Sequence, residues 1–184
     1  MSDLDIRRVV TGHDAGGRAV CIEDGFAPRR IRNPRRPGVA VADLWRTDRA
    51  PASLEQGDRT LEGPVALEPA ETGTVFRIVE FQPEDARALD DVDPSEAFAA
   101  MGAEDRLVPN ARHPFMHRTD TVDYAVVLSG EIILLLDDED ILLRAGDVVV
   151  QRGTNHSWAN RGQEACRMGF VLVDAARGEG KNDG

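Results

Sequence analysis

Short runs of apolar and β-branched residues, cut at intervals by turn formers, set the pattern of this chain. In the first half the runs Arg7 to Thr11, Arg18 to Glu23, Val39 to Arg46 and Val75 to Phe81 predict strands. Ala27 to Pro37, with three prolines and five arginines, and Arg49 to Thr74, where Pro, Gly and acidic residues recur, read as loops. From Asp123 the pattern tightens. Tyr124 to Leu128, Glu131 to Leu136, Ile141 to Arg144, Val148 to Gln151, His156 to Ala159 and Arg167 to Asp174 predict six strands, with Gly, Asn or Asp in every gap. This spacing predicts an antiparallel meander that closes into a sandwich or small barrel. Ile132 to Leu136 is apolar on both faces, so it needs cover on both sides, from the N-terminal strands or from a second subunit.

One short helix is predicted at Pro94 to Met101. Asp93 caps it, Pro94 suits the first helical position, and Glu96 completes a capping box. The segment Arg177 to Gly184 is polar and Gly-rich and is expected to fray.

Composition narrows the function classes. With 184 residues, 41% of them hydrophobic, the chain suits one domain with a real core. A net charge of -11 repels a phosphate backbone, so nucleic acid and anionic membrane are excluded as expected partners. No apolar run approaches the ~18 residues of a membrane span, and the N-terminus lacks a signal-peptide pattern; a cytoplasmic location is expected. Cys21 and Cys166 lie too far apart for a thiolate metal motif or a disulfide framework. No nucleophile elbow, Walker loop or dinucleotide-binding glycine motif is present. The acidic runs Asp90-Asp91 and Asp137 to Asp140 read as solvated turns.

The candidate chemistry lies with histidine. His117 precedes the strand that Asp123 opens, and His156 opens another strand after the turn Arg152 to Asn155. Strand ends facing one mouth of a barrel can converge on one divalent ion, and two imidazoles with one carboxylate form such a ligand set. Spacing alone also allows hydrogen-bonded structural histidines. His113 precedes Pro114, whose rigid turn could point the ring anywhere, and His13 sits in a hairpin loop.

The stretch from His117 through Asp123 to Gly130, followed by Gly146 through Gly153 and His156 to Asn160, resembles the two motifs of the cupin superfamily. The resemblance covers about residues 113 to 174. It implies an all-β fold, a cupin (jelly-roll-like) β-barrel with extra N-terminal strands and one short helix. Residues 1–112 would extend the barrel or a dimer interface, 113–176 would form the barrel core, and 177–184 a flexible tail. It also implies one divalent metal ion, Fe, Mn, Zn or Ni, held by His117, Asp123 and His156. Thr119 stands where the family has a second histidine, and Gln151 replaces a proline. Asp123 stands in place of a glutamate, so it is either a ligand or a group that orients an imidazole. His113 or Thr119 are further metal or pocket candidates. Arg118, Gln151 and Arg152 are candidates for substrate binding, through a guanidinium gripping a carboxylate or enolate in the case of the arginines.

The implied function is a metal-dependent enzyme, of dioxygenase, isomerase or lyase type, acting on a small organic carbonyl, carboxylate or phenolic substrate and assembled as a homodimer. The alternative is a non-catalytic barrel that binds or senses a small molecule. Strand alternation is expected to turn Tyr124 and Trp158 away from Asp123 and His156. Phe115 and Met116 suit either a pocket wall or plain core, and Cys166 suits burial as a small hydrophobe.

Overall fold

The structure, a computed structural model, describes residues 4–32, 35–85, 89 and 92–177. The expected fraying tail past Arg177 and the pair Asp90-Asp91 lie outside the described residues. The regular structure of the described residues is mostly β-strand, with a short helix near the middle of the chain. In order it forms β1 (Arg7–His13), β2 (Ala19–Phe26), β3 (Arg29–Arg32), β4 (Val39–Thr47), β5 (Thr74–Phe81), α1 (Pro94–Ala99) and a 3₁₀ turn at Glu104–Arg106. Then follow β6 (Thr121–Ser129), β7 (Glu131–Leu135), β8 (Asp140–Arg144), β9 (Val148–Arg152), β10 (Ser157–Ala159) and β11 (Cys166–Asp174).

A six-stranded sheet in the order β3-β4-β5-β11-β6-β9 is accompanied by a three-stranded sheet, β10-β7-β8, and β1 and β2 pair as a separate ribbon. This corrects the expected meander. Among strands β6 to β11 only β7 and β8 are both consecutive and paired; the chain otherwise alternates between sheets, in jelly-roll fashion. The reason is legible in β11, where Cys166, Met168, Phe170 and Leu172 alternate inward and are all buried. Such a strand needs a neighbour on each edge and an apolar layer over one face. It takes β5 and β6 as neighbours, and Ile132, Leu134 and Leu143 from the small sheet share its core cluster. First-half strands β3 to β5 thus lie in one sheet with β6, β9 and β11.

β3 falls within the stretch Ala27 to Pro37 that reads as loop in the sequence. Its Arg29-Arg30-Ile31-Arg32 sequence pairs with β4 at the edge of the sheet, where charged side chains reach water and Ile31 opposes Val41. The helix is capped as expected by Asp93, whose carboxylate accepts the Ser95 N–H at 2.9 Å. Glu96, expected to close the capping box, forms an ion pair with Arg35. The inner face of α1 buries Ala97 and Phe98 against Ala103 and Phe115.

Two motif residues hold turns. Gly130, with φ of 74°, turns β6 into β7, and a side chain there would meet the Ala165 carbonyl oxygen at 2.7 Å. Asn160 follows β10 and is buried; its Nδ2 donates to the carbonyls of Phe81 and Glu164, both at 2.8 Å, and its Oδ1 accepts the Gly162 N–H at 2.9 Å. Asn160→Ala strands these partners and is expected to cost roughly 2–4 kcal/mol in urea unfolding. A loss under ~0.5 kcal/mol would show that the turn does not depend on it.

Candidate functional site

One antiparallel bridge assembles the site. The His117 N–H donates to the His156 carbonyl at 2.9 Å, and the His156 N–H returns the bond to the His117 carbonyl at 3.0 Å. Directly opposed residues of an antiparallel bridge project their side chains to the same side. The two imidazole centroids are accordingly 4.5 Å apart, with planes inclined at 46°.

Each ring is fixed in the same local way. His117 Nδ1 lies 2.9 Å from the Phe115 carbonyl oxygen, and His156 Nδ1 lies 3.0 Å from that of Thr154. A carbonyl oxygen only accepts, so Nδ1 carries the proton and Nε2 the lone pair. Burial holds both rings neutral. It takes His117 well below the usual range, helped by the neighbouring His156 and by Arg36. His156 falls to about 4 through burial, opposed by its bond to Thr154 and assisted by Arg36. Phe98 of α1 backs His117 at 5.1 Å between centroids.

The imidazoles open into a cavity of about 220 Å³ whose walls include Val41, Val79, Phe81, Trp158, Phe170 and Leu172. Trp158 is a correction. It lies two residues from His156, so a period of two puts it on the same face, and its ring meets His156 edge-on at 5.9 Å. Tyr124, one residue from Asp123, points outward as expected.

Asp123 comes from the inner face of β6, in register with Ala125 and Val127, and lines the same cavity. Its Oδ1 is buried without a hydrogen-bond partner. Burial pushes its carboxyl up to about 6, against the Thr121 hydroxyl and the Arg77 charge, which favour the carboxylate. Arg77 itself is held by Asp43 at 3.0 Å and by the carbonyls of Ala66 and Leu67. That fan ties the loop before β5 to the cavity floor.

Other candidates fall elsewhere. His113 is buried beside Ser157, whose Oγ is 3.0 Å from Nδ1, with Glu84 at 3.4 Å from Nε2. Thr119 is buried with its hydroxyl 2.7 Å from that of Thr121. Gln151 is buried and donates to the Thr154 carbonyl at 3.1 Å, so its amide holds the turn that carries His156. Arg152 is exposed and Arg118 half-buried, and neither lines the cavity. Among the described residues, the arginines that do are Arg32, Arg36 and Arg77, all outside the motif region. Loop and strand arginines of the first half carry no spacing signal that would have singled them out. Met116 is core, Phe115 is buried and lines a neighbouring cavity, and burial pushes the Cys166 thiol up to about 11.

For a metal ion the donor chemistry fits at two nitrogens. Two neutral rings carry free Nε2 lone pairs, and an unpartnered carboxylate oxygen shares their cavity. Among the described residues, however, no group of three or more His, Cys, Asp or Glu side chains stands close enough to hold one ion. Asp123 shares the space without standing in one ligand group with the two imidazoles.

The cupin domain family matches residues 104–173. Phomopsin biosynthesis cluster protein C' of Diaporthe leptostromiformis is 58% identical over 62 residues, 33% of this chain and 33% of that protein. This chain therefore spans about a third of the length of that relative in the match. A cupin-domain-containing oxidoreductase of Aspergillus ruber is 29% identical over 91% of this chain and 71% of its own length. Another, from Hypocrea virens, is 32% identical over 91% of this chain and 75% of its own. With the paired β-layers, Gly130 and Asn160 in their turns, and a relative matched along most of both sequences, the chain belongs to the cupin family.

Proposed function

We propose that this cupin is a metal-dependent oxidoreductase acting on a small organic molecule with a carbonyl, carboxylate or phenolic oxygen. The observation that carries the reading is the pair of neutral imidazoles presenting lone pairs to an apolar cavity. The oxidoreductase class is supported by the names of the two relatives matched over 91% of the chain. His117 and His156 would hold the ion, Fe, Mn, Zn or Ni, which when bound supplies Lewis-acid polarisation of an oxygen. The chain's own residues do the rest. The walls around Phe81, Trp158 and Phe170 take the apolar body of the substrate and keep water out. Asp123 holds or releases a proton at its carboxylate near neutral pH. That last property also favours a second reading, proton-transfer catalysis of isomerase or lyase type, with Asp123 as the acid–base group.

Titration with Co²⁺, followed by its visible absorption, tests the first reading. Wild type is expected to take one equivalent, and His117→Ala and His156→Ala each to weaken uptake by at least about 100-fold. No uptake of Co²⁺, Mn²⁺, Zn²⁺ or Ni²⁺ by wild type would remove the metal from the account and leave proton transfer.

Asp123 also sets a pH dependence in the metal-free protein. Its folded carboxyl titrates near 6, above the unfolded value, so its ionisation opposes folding increasingly from about pH 4 to 6 and fully above that. Asp123→Asn is expected to stabilise the protein at pH 7.5 by roughly 1–3 kcal/mol, with the gain gone by about pH 4. A variant less stable at pH 7.5 in thermal melts would contradict the buried charge.

The homodimer is also proposed. Tyr124, Leu128, Val148 and Val150 form an exposed apolar row on β6 and the sheet-edge strand β9, where Tyr124 opposes Val150. Sedimentation is expected to give twice 20.1 kDa, and Tyr124→Lys with Val150→Lys to give the monomer. A wild-type monomer at micromolar concentration would remove the dimer.

A further inference from the structure

Arg36 stands in the connection between β3 and β4 and reaches inward over two aromatic rings. Its guanidinium carbon is 4.6 Å from the Phe115 centroid and 5.9 Å from that of Phe81. It lines the imidazole cavity and also a second cavity of about 200 Å³ bounded by Gln82, Glu84, Leu89 and Asn160. Val39, Phe81 and Trp158 are walls of both spaces, so the two meet at Arg36.

The charges around the cavity set this residue apart. Arg77 is ion-paired with Asp43 and donates to two backbone carbonyls. Glu84 acts on Arg36 through space, but its carboxylate lies 3.4 Å from the His113 ring. Among the described residues no carboxylate forms an ion pair with Arg36; its close contacts are the ring faces. Burial lowers the guanidinium to about 10, which leaves it a cation at neutral pH. Arg36 is half-buried; ring faces offset part of the cost of a partly desolvated cation, and they leave its N–H fork available for a planar anion.

We propose that Arg36 anchors a carboxylate of the substrate, which makes the substrate an amphipathic carboxylic acid. The acid end sits on Arg36, the apolar body lies against Phe81, Trp158 and Phe170, and the atoms beside His117 and His156 are those that react. The inference rests on this cavity being the reaction site, and it narrows three oxygen functions to one. A guanidinium that no described carboxylate pairs, with Asp123 and Glu84 nearby, suits one negative charge, and a doubly charged phosphate would face both acids.

Calorimetric titration with 4-phenylbutyrate and its uncharged amide, 4-phenylbutanamide, at pH 7.5 tests the assignment. Wild type is expected to bind the acid at least about tenfold more tightly than the amide. Arg36→Met should bring that ratio close to one while holding the amide affinity within about twofold, which also shows that the cavity is still folded. Arg152→Met, at an exposed arginine outside the cavity, should keep the wild-type ratio. Equal affinities in wild type would overturn the anchor while leaving the cavity as a binding site. So would a ratio that survives Arg36→Met and disappears in His117→Ala, because the acid would then be held at the imidazoles. If neither probe binds wild type at millimolar concentration, the reading of the cavity as the substrate site falls, and the anchor with it.

Discussion

Two reciprocal hydrogen bonds between the backbones of His117 and His156 are the constraint on which the site depends. These residues are far apart in sequence and belong to different connections, and neither lies within one of the long strands. The bridge fixes their spacing, and the bonds from each Nδ1 to the carbonyl two residues earlier fix the rotation of the rings. Without both, a pair of imidazoles 4.5 Å apart would be two unrelated buried histidines. With both, two lone pairs are prepared in advance, which lowers the ordering cost of binding a ligand.

The rest of the cavity follows from how the sheets supply polar and apolar groups. The motif segment contributes the histidines, Asp123 and Trp158, while the first-half strands contribute Val41, Val79, Phe81 and Arg77. The apolar majority desolvates the few titratable groups, and this is why both imidazoles stay neutral and Asp123 holds its proton toward pH 6. Arg77 is kept charged in the same surroundings by Asp43, which is itself fully buried. Arg36 has ring faces where Arg77 has a carboxylate, and that difference separates a structural cation from one available to a ligand.

Much of this was legible along the chain where local rules decide the outcome. The strands from Tyr124 onward follow from alternation and from turns at residues such as Gly130, and alternation also turns Asp123 inward and Tyr124 outward. Counting the same period from His156 puts Trp158 beside the ring, on the face opposite to the one expected. Pairing was less legible, because β6 and β7 are joined by a tight turn and yet lie in different sheets. What separates them is burial of side chains distant in sequence. β3 was hidden by arginines and flanking prolines that an edge strand tolerates. Arg36 was hidden for a related reason: its direction is set by Phe81 and Phe115, remote in sequence, while Arg118 and Arg152 drew notice only by adjacency to the histidines.

The central claim, that the fold holds two neutral imidazoles with their Nε2 lone pairs free, is open to direct measurement by long-range ¹⁵N–¹H correlation spectroscopy of the metal-free protein between pH 8 and 5. The account predicts that His117 and His156 both show the Nδ1–H tautomer at pH 8 and remain neutral at pH 5. Protonation of either ring with a midpoint near 6.5, or a proton resident on Nε2, would contradict it.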